Sequence, residues 1–241
     1  MAVAFVQANI VESASVASLP VTFPSSVTAG NLIVAVVALD TARTVTLVSD
    51  NVNGSYTQVF QTTNSFGTPG DSHLWGGYLK NTGGGSTTVT AFFSGTANNC
   101  WLAVHEVSGC DTTSPLDQSV TNDQDAPGTG SDAITTTSQT TTGSGEYIFG
   151  VAFDYLFAGD GFSAGSSPNV FTQRTRLQDF ITEDFIQSSA SSIAATFTES
   201  LAPTRVLSGM MTFTPAPSAV GGAASPFVRI RRKNWPGDYL R

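Results

Sequence analysis

Five consecutive residues, Gly161-Phe162-Ser163-Ala164-Gly165, fit the G-x-S-x-G pattern in which a serine on a sharp turn serves as a hydrolase nucleophile. That chemistry needs a strand before the serine, a helix after it, and a histidine later in the chain to take the proton. Here Ser166-Ser167-Pro168 and another strand pattern follow, and both histidines, His73 and His105, precede Ser163. The pattern is expected to be a Gly/Ser loop. Glu183 and Asp184 are the only adjacent acids. Neighbours on a strand point to opposite faces, so these two do not form an acid/base pair. Asn122-Asp123-Gln124-Asp125-Ala126-Pro127-Gly128 opens like a calcium loop, but Pro127 stands where a further Asp or Asn belongs and no Glu closes it. Two histidines and two unclustered cysteines give no zinc pattern. No catalytic residue, cofactor or metal site is assigned, and the chain is expected not to be an enzyme.

Sugar binding is the alternative chemistry, because carbohydrate modules display aromatic rings on an exposed sheet face. Trp75 and Trp101 are the candidate glycan contacts, with Tyr78 nearby on the other face of its strand. Core packing competes for the same rings, since large aromatics dominate sandwich cores.

The elements that would have to position such groups are strands. Of 241 residues, 40% are hydrophobic and only 12% charged, and Gly numbers 23 and Phe 16. Ser and Thr make up a quarter of the chain. This is poor helix material and good material for short strands and turns. Strand-like runs recur about every 8–15 residues, the spacing of sandwiches and barrels. Asn53-Gly54 between two runs signals a type I′ hairpin, in which both residues take positive φ.

A loose internal repeat is visible. Gly30–Val36 resembles Gly145–Val151, and Thr88–Phe93 resembles Ser192–Phe197. We expect an antiparallel two-sheet β-sandwich, all-β and jelly-roll-like, made of two related five-strand halves with one apolar face each. A half alone cannot bury that face, so the halves should pack as one sandwich. The domain spans 1–214, followed by an uncharged Pro/Ala/Gly linker, 215–226, and a basic, aromatic segment, 227–241.

Charge is split along the chain. Residues 1 to 228 hold 17 acids and 5 bases, a balance of −12, whereas residues 229 to 241 hold 5 bases and 1 acid, a balance of +4. The body should repel nucleic acid and anionic membrane, and the final segment should attract acidic surfaces. Phe227, Val228, Arg229, Ile230, Arg231, Arg232, Lys233, Trp235, Tyr239 and Arg241 are read as a partner-docking segment. A DNA-binding arm is the competing reading, which the acidic body opposes.

No apolar run approaches the ~20 residues of a spanning helix. The first basic residue is Arg43, so no secretory leader is expected. Cys100 and Cys110 flank an extended run roughly 33 Å long at ~3.3 Å per residue, too far apart for an internal disulfide.

The phrases Thr28–Val36, Val48-Ser49-Asp50-Asn51 with Gly54 and Tyr56-Thr57, and Trp101 through Glu106-Val107-Ser108-Gly109 resemble jelly-roll-type β-sandwich modules. Such modules occur in phage particles, as head decoration or tail appendage parts, and in bacterial surface proteins. The resemblance carries no functional site. It implies a structural role in a virion assembled in the host cytoplasm. The implied partners are copies of the chain itself and a capsid or tail scaffold protein.

Overall fold

The computed structural model describes residues 2–65, 70–126, 132–155, 161–200 and 204–217. The docking segment 227–241, and the linker beyond residue 217, lie outside the described residues. Among the described residues every regular element is a strand, and the strands pair antiparallel.

The first half contains β1 (Ala4–Thr22), β2 (Leu32–Asp40), β3 (Val45–Asp50), β4 (Gly54–Ser55), β5 (Thr57–Thr63), β6 (Ser72–Leu79) and β7 (Thr88–Ser108). Its main sheet runs β5-β6-β2-β7-β1, and β3 and β4 extend it along the first part of β7. The second half contains β8 (Leu116–Ala126), β9 (Asp132–Thr135), β10 (Gln139–Thr140), β11 (Glu146–Asp154), β12 (Phe162–Ala164), β13 (Thr172–Leu177), β14 (Phe180–Gln187), β15 (Ser192–Ile193), β16 (Thr196–Glu199) and β17 (Thr204–Phe213). Its main sheet runs β13-β14-β11-β17-β8, beside a small sheet β12-β16-β9 and a ribbon β10-β15.

The two main sheets correspond strand for strand: β1 with β8, β7 with β17, β2 with β11, β6 with β14, β5 with β13. Even the irregularities match. Pairing with the inner neighbour slips between Gln58 and Phe60 in β5 and between Gln173 and Thr175 in β13. The loose sequence repeat is therefore a repeat of topology.

The halves meet face to face. Leu32, Val34, Val36 and Ala38 of β2 share one core with Tyr147, Phe149, Val151 and Phe153 of β11. β1 lies against β13, β5 against β8 and β6 against β17. Equivalent faces meet with strand order reversed, which is the arrangement of a pseudo-two-fold axis.

One expectation is corrected here. Each half has two apolar faces, not one: β11 is buried at every position and β2 at all but its last. The opposite face of the first sheet packs Ile33, Val37, Trp75 and Leu102 against Val21, Val48, Val89 and Phe93. That of the second packs Ile148, Ile181 and Met210 against Ile134, Phe162 and Phe197 of the small sheet. Such a run is apolar throughout because both faces are covered.

β1 is the element the sequence hid best. Gln7, Asn9, Glu12, Ser13 and Ser15 break its hydrophobic alternation, and pairing with β7 holds it extended. Ser15 (φ 58°) and the pairing shift at Val16/Ser18 lie where its partner residues pass from the second to the first part of β7. The Asn53-Gly54 turn exists, but β3 and β4 pair from Asp50 to Gly54, leaving three residues between them. Only Gly54 takes positive φ (90°), while Asn53 is held through its side chain by Asp50. At the passage between halves Gly109 has φ +77°, and a Cβ there would lie 2.3 Å from the Ala2 carbonyl oxygen. Only glycine fits that crossing.

Candidate functional site

Among the described residues a constellation of chemically capable side chains lies in the joint between the halves. β7 brings His105 from the first half. β11, β13 and β14 bring Tyr147, Arg174, Thr175, Thr182 and Asp184 from the second. Thr182 and Asp184 share a face of β14 because they are two apart.

Hydrogen bonding fixes the protons. Asp184 also pairs with Arg174 (Nε to Oδ2, 2.8 Å), so it is a carboxylate and only accepts. Tyr147 therefore donates its O–H to Asp184 Oδ2 (2.9 Å). Its oxygen is left to accept from His105 Nδ1–H (3.1 Å). His105 Nε2 is then bare and accepts from the Thr182 hydroxyl (2.8 Å), which in turn accepts from Thr175 (2.5 Å). Phe5 and Phe149 meet the imidazole edge-on, and the Arg174 guanidinium lies 3.8 Å over the Phe5 ring.

Burial, with Arg174 adding to it, holds the His105 pKa down at about 3, so the ring is neutral. Burial pushes the Tyr147 phenol well above its usual range, with Asp184 next to it acting in the same sense. The pseudo-two-fold sets Met211 where His105 would repeat, Leu32 for Tyr147, Gly76 for Thr182 and Tyr78 for Asp184. The joint is thus polar on one side of the axis and apolar on the other. His105 and Tyr147 are 0% exposed. With His105 and Tyr147 enclosed and Arg174 partly exposed at its rim, the cluster orients and pairs the two sheets.

Glu183 points to the opposite face from Asp184, as the alternation of strand neighbours requires. Its Oε2 accepts the Gly165 N–H (2.8 Å), and the Thr196 backbone amide is a second donor to the carboxyl. A Cβ on Gly150 would lie 2.9 Å from Oε1, so that glycine makes the room the side chain occupies. Burial pushes the Glu183 carboxyl up to about 8. Glu106, also buried, is satisfied by the Thr28 N–H, Asn31 and Gln7, and ties that loop to β7.

The other sequence candidates are dispersed. Ser163 sits on β12, paired with Thr198, with no helix after it. Asp123 accepts from Tyr155 and Ser65, and Asp125 pairs with Arg205 at 3.2 Å. Among the described residues no group of three or more His, Cys, Asp or Glu is placed to hold a metal ion. No helix long and apolar enough to cross a membrane occurs among them. The glycan contacts are corrected: Trp75 (2% exposed) and Trp101 (1%) lie in two different cores, because the sheet that carries them is covered on both faces.

Cys100 and Cys110 are both free and buried. Burial pushes their thiols up to about 11 and 12 respectively. The thiolate is the reactive form. Neither cysteine is therefore expected to react with a thiol reagent at neutral pH in the folded protein, and both should titrate fully in denaturant. Fast labelling of a thiol in the native state would contradict this.

Fold and site together define an all-β protein, a β-sandwich in which the main sheets of two topologically related halves pack face to face. No family model and no curated protein matches the chain. Among solved structures, the crystal structure of the major capsid protein P2 from Bacteriophage PM2 aligns with it at TM-score 0.31 and 8% identity, covering 89% of this chain and 100% of that one. A likeness of that degree fixes neither strand order nor function.

Proposed function

We propose that the chain is a non-enzymatic structural protein of a phage particle, a capsid decoration or appendage protein, attached by self-association and by its segment 227–241. The observation that carries this reading is where the reactive groups go. His105, Tyr147, Glu183 and Asp184 are all buried and spent in holding sheets together. The charge split between an acidic body and a basic final segment supports attachment to an acidic protein surface. The jelly-roll-like strand phrases point the same way.

Copy number in purified particles is the direct test. Several hundred copies indicate a coating role, and a small multiple of three or six indicates an appendage. A chain lacking 227–241 is expected to stay folded, because the three cores lie within residues 2–217. It is expected to fail to incorporate; normal incorporation would sink the proposal. Esterase or glycosidase activity lost on Ser163→Ala would do so equally.

A further inference from the structure

Among the described residues the two main sheets leave four strand edges: β5 and β1 of the first, β13 and β8 of the second. An unpaired edge offers a row of N–H and C=O groups that an extended segment can complete. The pseudo-two-fold makes β1 the counterpart of β8 and β5 the counterpart of β13, so backbone form alone does not choose among them. Charge does. β13 carries Arg174 and Arg176, β5 carries no charge and β1 carries only Glu12. β8 carries Asp117, Asp123 and Asp125. Asp123 and Asp125 stand two apart, on one face of the strand, and both are partly exposed. A carboxylate has about four acceptor positions. Asp125 gives one to Arg205, and Asp123 gives its own to Tyr155 and to the Ser65 amide and hydroxyl.

We propose, resting on the structural-protein reading above, that β8 is the edge that receives residues 227–233 of a second copy as an added strand. The same period of two recurs in that segment. Arg229, Arg231 and Lys233 fall on one face with Phe227 when it is extended, and Val228 and Ile230 on the other with Arg232. On β8 the basic face meets Asp123 and Asp125 in charge-assisted hydrogen bonds. On β13 it would meet two arginines.

The donor is a second copy because of where the chain is last placed. After β17 it crosses the strand ends: the Thr214 carbonyl accepts from the Asp111 N–H, Pro215 bridges Cys110, and Ala216 N–H donates to Gly109. Ala216 then lies in a groove with Ala2, Val3, Gly145 and Ile186, beyond the Leu116 end of β8 and at the opposite end of that strand from Asp123 and Asp125. Each copy thus has one edge to fill and one segment to give. Such a head-to-tail contact closes into a ring or extends as a chain.

The test is a charge swap in the full-length chain, read by sedimentation at one protein concentration. Wild type is expected to self-associate. Arg229→Glu/Arg231→Glu and Asp125→Lys should each weaken association at least tenfold, and the three changes in one chain should restore it. If Asp125→Lys unfolds because Arg205 loses its partner, Ser119→Lys places the charge at an exposed position on the same strand. Undiminished association of the β8 variants would overturn the proposal. So would a monomeric wild type whose own segment protects its β8 amides from exchange. Particle incorporation separates the two levels. If the arginine changes abolish it and the β8 changes do not, the edge assignment falls and the structural role stands. If incorporation survives even loss of 227–241, the structural role falls.

Discussion

Unfolding free energy measured against pH is expected to hold level between about pH 4.5 and 6.5 and to fall on either side. Two buried groups set this shape with opposite signs. The Glu183 carboxyl is raised from its ordinary 4.5 to about 8, so between those values the unfolded chain has released a proton that the native chain keeps. Stability from this group is complete below pH 4.5 and drains away as pH rises to 8, at roughly 1.4 kcal/mol per pH unit. His105 is lowered from 6.5 to about 3, so between those values the unfolded chain binds a proton that the native chain refuses. Its contribution is complete above 6.5 and drains away on acidification. From 4.5 to 6.5 the two slopes cancel. Glu146, raised by burial, acts in the sense of Glu183, and His73, lowered by burial, in the sense of His105.

Single variants unmask each slope. Glu183→Gln should remove the fall above pH 6.5, leaving stability that climbs from about pH 3 to 6.5 and then stays flat. His105→Met, which installs the residue found at the symmetric position, should remove the acid-side loss. Tyr147 still donates to Asp184 there, but the Thr182 hydroxyl loses the imidazole as its acceptor, so the variant should be less stable at every pH while its acid-side slope disappears. Urea midpoints at fixed pH give the measurement. A Glu183→Gln protein with an unchanged slope from pH 6.5 to 8 would refute the assignment.

Truncation of either buried tryptophan should cost about 3–5 kcal/mol, the range for emptying a large aromatic from a core. Trp101 packs against Phe153 across the joint, ring centroids 5.1 Å apart, and its side chain hydrogen-bonds Glu12. Trp101→Ala therefore loosens the contact between halves. Trp75 donates to Gln58 Oε1 at 3.1 Å, and its ring lies over Gly77, where a Cβ would come within 2.4 Å of it. Trp75→Ala leaves Gln58 without that donor and opens a cavity in the outer core of the first half. Both variants should show lowered denaturation midpoints. Variants of undiminished stability that have instead lost retention on a glycan array would return these rings to a sugar-binding role.

The amino-acid sequence by itself determined that this chain is built of strands, that they fall into two related sets, and that the catalytic patterns lack their partners. Those are local properties. Alternation, turn residues and low charge set the strands, and the repeat of Gly30–Val36 in Gly145–Val151 carries the same β2-like element twice. The opposite facing of Glu183 and Asp184 was legible for the same reason, because a pleated strand alternates whatever it packs against. What lies opposite a given face is not local. His105 finds Tyr147 and Thr182 across separations of 42 and 77 residues, and nothing in their neighbourhoods specifies that meeting. The full length of β1, the second apolar face of each sheet and the inward turn of Trp75 and Trp101 were decided in the same way. Each depends on which sheet covers which. That is settled by burying apolar area over the whole chain at once, and only the tertiary structure records it.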